Sequence, residues 1–139
     1  MINFSDIQQI ICEGEGTTPK ALKNHTRKDE IVLSRQFIFY FMRKYTNSSL
    51  SKIASYYNKD HATVIYAIKT IRDRVETDKI FRNKFIMYDT RIFKLDKFMN
   101  DANIDYLAMI KERLIRHINN DEPINFDLII VYNRLIEKL

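Results

Sequence analysis

The sequence predicts an all-α fold built around a helix-turn-helix, with extra helices towards its C-terminal end. Three observations predict it. Aliphatic and aromatic residues recur at spacings of three and four almost throughout; no stretch alternates as a half-buried strand would; and 139 residues include only two glycines and two prolines. With 45% apolar residues the chain can bury a core of its own.

A first short helix is expected over residues 4–12, capped by Ser5 and ended by Glu13-Gly14-Glu15-Gly16, which holds both glycines. Thr18-Pro19 opens a second. The threonine oxygen can accept from the first free amides, and a proline at the first helical position has no amide to leave unpaired. This helix ends near Asn24. Residues 29–45 are apolar nearly all round, with Phe37, Ile38, Phe39, Tyr40, Phe41 and Met42 consecutive, so they form a central, buried helix.

Thr46-Asn47-Ser48-Ser49 breaks that run, and Leu50, Ile53, Ala54 and Tyr57 resume helical spacing for about two turns. Asn58-Lys59 makes the next turn. Asp60 is an N-cap, behind which Val64, Ala67, Ile68, Ile71 and Val75 form one apolar stripe, with His61, Thr63, Tyr66, Lys69 and Arg72 on the opposite face. Beyond Thr77 the spacing becomes a heptad-like seam through Phe81, Phe85, Tyr88, Ile92, Leu95 and Met99. The seam is too short for most coiled coils, so it predicts one long helix packed on its own domain. Two amphipathic helices follow. One uses Ile104, Leu107, Ala108, Leu114, Ile115 and Ile118; the other, after Asp121-Glu122-Pro123, uses Phe126, Ile129, Ile130 and Ile136. The expected organisation is a helix-turn-helix domain over residues 1–89 and a helical extension over residues 90–139.

Composition excludes several functions. The single cysteine, Cys12, forbids an intramolecular disulfide, and histidines at 25, 61 and 117 have no metal-ligand spacing, so neither metal nor cofactor is expected. No segment reads as an export signal or a membrane span, which predicts a soluble, cytoplasmic protein without a membrane partner. No glycine-rich phosphate loop precedes a Lys-Ser or Lys-Thr pair, and Cys12 lies in an apolar helix where a small buried hydrophobe explains it. Asp121-Glu122 falls in a surface turn. The chain is therefore not expected to be an enzyme. Its net charge of +5 is unevenly placed: residues 20–75 hold twelve Lys or Arg against four Asp or Glu, an excess of eight, while the rest nets −3. An anionic partner belongs on that segment.

A short helix, a tight turn and a longer helix with a polar leading end is the arrangement that lays a second helix in the major groove of duplex DNA. Asp60, His61, Ala62 and Thr63 supply donors, acceptors and methyls at that end, the inventory needed to read base edges. Upstream, Ser48, Ser49, Ser51 and Lys52 open the first helix with hydroxyls, free amides and a cation suited to phosphate.

These residues also resemble a known family. Lys59-Asp60-His61-Ala62-Thr63-Val64, followed by Ala67 and Ile71, is similar to the Arg-Asp-His-Thr-Thr-Val signature of the C-terminal DNA-binding domain (domain IV) of the bacterial replication initiator DnaA. Ser34-Arg35-Gln36 resembles that family's Pro-Arg-Gln, and Tyr45-Thr46-Asn47-Ser48-Ser49-Leu50 its Leu-Thr-Asn-x-Ser-Leu, both at family spacing. The resemblance covers residues 6–78. It implies a Trp repressor-like helix-turn-helix that binds a DnaA-box-like duplex. Base contacts would come from Asp60, His61, Ala62 and Thr63, with Arg27 in the minor groove. Phosphate contacts would come from Arg35, Gln36, Arg43, Ser49, Leu50, Ser51, Lys52, Lys59 and Lys69.

Departures from the family matter too. Ala62 replaces a threonine, Ser51 a proline and Lys52 a glutamate, a glycine near Tyr57-Asn58 is missing, and the initiator's ATPase domain is absent from this sequence. The resulting expectation is sequence-specific duplex binding that regulates replication or transcription without ATP hydrolysis. The alternative is a helical protein-interaction module associated with replication factors, in which residues 79–139 bind a protein or a second copy.

Overall fold

In the computed structural model the described residues are 2–24, 26–100, 104–120, 129–130, 133 and 137, with the side chains of 100 and 104–109 left aside. They form seven helices: α1 (Phe4–Glu15), α2 (Pro19–Lys23), α3 (Asp29–Tyr45), α4 (Leu50–Ser55), α5 (His61–Thr77), α6 (Lys79–Asn100) and α7 (Ile104–Asn119). No strand occurs among the described residues, as the spacing predicts. No helix searched is long and apolar enough to cross a membrane.

The cap of α1 is Asn3 and not Ser5. Asn3 Oδ1 accepts from the Asp6 amide at 2.9 Å, and the Asp6 carboxylate accepts from the Asn3 amide at 3.0 Å. This reciprocal box satisfies two orphan donors at once, whereas a cap at Ser5 would satisfy one. The helix then runs through Gly14 and ends at Gly16, whose φ of 66° is the left-handed conformation that glycine adopts freely. Gly14 has a different reason: the Tyr88 ring lies against it, where any Cβ would overlap the ring. Cys12 is buried, and desolvation pushes its thiol up to about 11, as suits a small hydrophobe.

In α2, Thr18 caps by accepting from the Ala21 amide and Pro19 takes the first turn, both as expected. The central helix is α3, which packs on α1, α2, α4 and α5. Phe37, Ile38, Phe39, Phe41 and Met42 are buried, while Tyr40 is half-buried. Aromatic rings join α3 to α6: Phe37 stacks on Phe81 with centroids 5.2 Å apart, Phe41 on Phe85 at 5.3 Å, and Phe37 meets Tyr88 edge-on at 5.3 Å.

Asp78 starts α6 by accepting from the Phe81 amide. Its seam faces inward, with Phe81, Tyr88, Ile92, Leu95 and Met99 buried and Phe85 half-buried. Polar pairs flank the seam. The Tyr88 hydroxyl donates to Glu15 at 2.8 Å and Lys84 pairs with the same carboxylate at 2.6 Å; Lys44 and the Tyr45 hydroxyl both meet Asp89, at 2.7 and 2.6 Å.

Two compact units divide the chain, one over Ile2–Phe93 and the other taking in Lys94–Leu139. The boundary expected after residue 89 falls inside the continuous helix α6. In the second unit Ile110 is buried, but Ile115 and Ile118, expected on the buried stripe of α7, are exposed. The helix expected after Pro123 lies largely outside the described residues; Ile130, within it, is buried.

Candidate nucleic-acid interface

Local rules build α4, the turn and α5. Ser49 caps α4 with its hydroxyl oxygen, which accepts from the Lys52 amide at 3.1 Å. Tyr57 is buried and donates to Gln8, fixing the end of this helical turn on α1. The chain reverses at Asn58, whose φ of 54° is left-handed, and Lys59 donates its amide back to Ala54 at 2.9 Å. Asparagine tolerates that conformation better than most other side chains, so it serves where the family resemblance implies a glycine. Asp60 then caps α5, accepting from the amide and the hydroxyl of Thr63 at 2.9 and 2.8 Å. These two bonds hold the Asp60 carboxyl below its ordinary pKa.

The cap sets the rotation of α5. Val64, Ala67 and Ile71 turn inward and are buried, and Ile68 and Val75 are half-buried. His61, Ala62, Thr63 and Lys69 face outward and are exposed. Two large side chains share that outer face: Ile65, 48% exposed, and Tyr66, 66% exposed. Sequence reading placed Tyr66 outside without a contact role and gave Ile65 no role. The available signal was register, because residues 65 and 66 follow Ala62 by three and four positions and so share its face.

Clefts flank the two sides of this face. One, of about 360 Å³, is lined by Arg27, Arg35, Gln36, Lys59, Thr63 and Tyr66, among others. The second, of about 320 Å³, is lined by Arg43, Leu50, Ile65, Lys69 and Arg72, with Asp73 as its one acid. The fold thus collects onto one surface cations that are up to 45 positions apart in sequence. Ser49, Ser51 and Lys52 are exposed at the start of α4 and line neither cleft. The Lys52 ammonium lies 6.0 Å over the Phe4 ring. Arg43 donates to the Ser48 carbonyl at 2.9 Å and so steadies the approach to α4.

Arg35 departs from expectation. Read as a phosphate contact, it is only 6% exposed, and its guanidinium donates to the carbonyls of Asn24 at 3.4 Å and Thr26 at 2.5 Å. Carbonyls in the irregular stretch between α2 and α3 have no ladder partners, and this arginine supplies donors to two of them. Arg27, next to the anchored Thr26 carbonyl, is exposed. No group of His, Cys, Asp or Glu among the described residues could hold a metal ion.

The family model for the bacterial DnaA protein helix-turn-helix matches residues 4–71. Chromosomal replication initiator protein DnaA of Bacteroides thetaiotaomicron is 38% identical over 82 residues, 58% of this chain and 17% of that protein. DnaA of Bacteroides fragilis is 35% identical over 94 residues, 67% of this chain and 20% of its own length, and DnaA of Thermodesulfovibrio yellowstonii is 39% identical over 79 residues, 56% and 18% respectively.

Residues 4–71 form a DnaA-like helix-turn-helix domain.

The chain spans a fifth or less of the length of these relatives. The matched residues 4–71 lie close to the span of residues 6–78 over which the resemblance is expected. Beyond them, the rings of Phe81, Phe85 and Tyr88 pack on Phe37 and Phe41.

Proposed function

We propose that this protein binds duplex DNA sequence-selectively through α5, and acts as a regulator of replication or transcription without ATP hydrolysis of its own. The single observation that carries this is the exposed leading end of α5, flanked by two cation-lined clefts. An α-helix fits the major groove, and a groove-bound helix needs positive charge on both sides, where the phosphate backbones run. His61, Ala62 and Thr63 supply the base contacts, with Asp60 both capping and reading. Arg27 enters the neighbouring minor groove. Gln36, Arg43, Ser49, Leu50, Ser51, Lys52, Lys59 and Lys69 hold phosphates. A DnaA-box-like element is the ligand this resemblance favours, and the cytoplasm is where such a ligand is met.

Selection of bound duplexes from a random pool, followed by a salt titration on the winner, tests the reading. A defined motif should emerge, and affinity should fall with ionic strength by a log-log slope of about −0.9 per neutralised phosphate. No enrichment together with a flat salt dependence would refute it.

One observation favours a second role in protein contact. On α6, the face opposite the buried seam carries Ile80, 84% exposed, and the half-exposed Ile86, Met87 and Phe93. Apolar side chains aligned on one helix face mark a contact surface more often than scattered ones do. A protein-interaction module would use this face, and charged substitutions at Ile86 and Phe93 would abolish that contact while leaving duplex binding intact.

A further inference from the structure

We propose that Arg35 is a positioning residue for duplex recognition: it holds the loop that presents Arg27 and does not itself touch phosphate. The proposal rests on the duplex-binding reading above and deepens it. Four features of the loop carry it. Arg35 stands on α3, the central helix, and is itself only 6% exposed, burial drawing its pKa down from the ordinary arginine value. Both of its hydrogen bonds go to backbone carbonyls of the loop, Asn24 and Thr26. Thr26 is held a second time, because its hydroxyl oxygen accepts from the Lys28 amide at 3.2 Å. Lys28 in turn is the N-cap of α3 and has no side-chain cap bond of its own.

Arg27 therefore sits between two fixed points, the Thr26 carbonyl on one side and the Lys28 amide on the other. Its exposed side chain, with no hydrogen bond or ion pair among the described residues, lines the cleft beside Thr63. An arginine entering a minor groove keeps more of the gain from the local potential when its backbone is already ordered. The planar fork of Arg35 orders it by reaching two carbonyls at once. A lysine offers one point charge on a flexible stem and cannot span both.

That difference supplies the test, made on the full chain with the duplex enriched from the random pool and with a version whose flanking A·T pairs are changed to G·C. Arg35→Lys should weaken the A·T-flanked duplex by about tenfold, as Arg27→Ala does, and the double variant should be no weaker than either single change. Trypsin cleavage after Arg27 and Lys28, followed by mass spectrometry, should accelerate in folded Arg35→Lys protein without any DNA present. If lysine restores wild-type binding, or if the two substitutions lose affinity additively, Arg35 meets phosphate directly and the positioning role is wrong. Unchanged trypsin cleavage would overturn it as well. A wild-type protein that prefers no duplex sinks the binding reading first, and this proposal with it.

Discussion

One oxygen of Asp60, Oδ1, accepts both the backbone amide and the side-chain hydroxyl of Thr63, at 2.9 and 2.8 Å. On the proposed reading, the cap and the base-reading surface are thus one structure. With the Thr63 proton committed to Asp60, Thr63 offers a groove its methyl and lone pairs, and the side-chain donors at positions 60 to 63 belong to His61. Under that reading, recognition at this end is biased towards amino-bearing and methyl-bearing edges, with His61 the one side-chain donor.

The same pair predicts a pH dependence. Thr63 holds the Asp60 carboxyl below its unfolded pKa, so the charge contributes stability that is present above the unfolded value and lost as pH falls through the folded one. Asp60→Asn keeps an acceptor but cannot titrate. Melting curves of the two proteins, taken from neutral to about pH 3, should differ at neutral pH and converge on the acid side. Parallel curves would show that the cap gains nothing from charge.

Reading and holding separate by substitution. His61→Ala should remove about 1 to 3 kcal/mol of discrimination at one or two base pairs and leave random duplex nearly as well bound. Lys52→Ala should weaken all duplexes alike and reduce the salt slope by about one unit. Both residues are exposed, so both variants should melt with the wild type. An unchanged ratio of preferred to random binding in folded His61→Ala protein would remove His61 from the reading surface.

Gly14→Ala sets two effects against each other. Alanine favours a helix over glycine by about 1 kcal/mol, but its Cβ would meet the Tyr88 ring. That ring is buried and held by Glu15 and Phe37, so it has little room to retreat. Overpacking costs of about 1 to 3 kcal/mol should win, and chemical denaturation should show a net loss. A stabilised variant would mean that α6 yields easily from α1.

Truncation tests where the domain closes. A fragment ending at Phe93 should melt cooperatively, whereas one ending at Asp89 loses the fully buried Ile92 and the Arg91–Glu13 pair. The shorter fragment should be less stable by about 2 to 5 kcal/mol, the cost of a large buried aliphatic deletion. Equal stability in urea would place the boundary upstream of Ile92.

Much of this was legible in the sequence because it depends on neighbours three or four positions apart. Thr18-Pro19, Ser49 and Asp60 each announce a helix start, and the bounds of α3 follow from unbroken apolar periodicity. Pairs that close across the fold were not legible. The pattern Ser34-Arg35-Gln36 says nothing of the Asn24 and Thr26 carbonyls that claim the guanidinium. Asn3 was missed for a local reason. Ser5 is also a good cap residue, and only the reciprocal acid at Asp6 decides between them. The outward Ile65 was hidden because hydrophobicity alone assigns an isoleucine to the core.

The bonds from Tyr88 and Lys84 to Glu15 also order events in time. They join the first helix of the unit to its last, the Tyr88 bond across a sequence separation of 73 residues. Loop-closure entropy must be met before such a contact gives anything back, so it forms late. During synthesis from the N-terminus, α5 is complete before the residues that seal α1 have emerged from the ribosome. The nascent chain thus holds a finished α5 on an unfinished platform, and the platform is sealed only when Tyr88 and Lys84 reach Glu15.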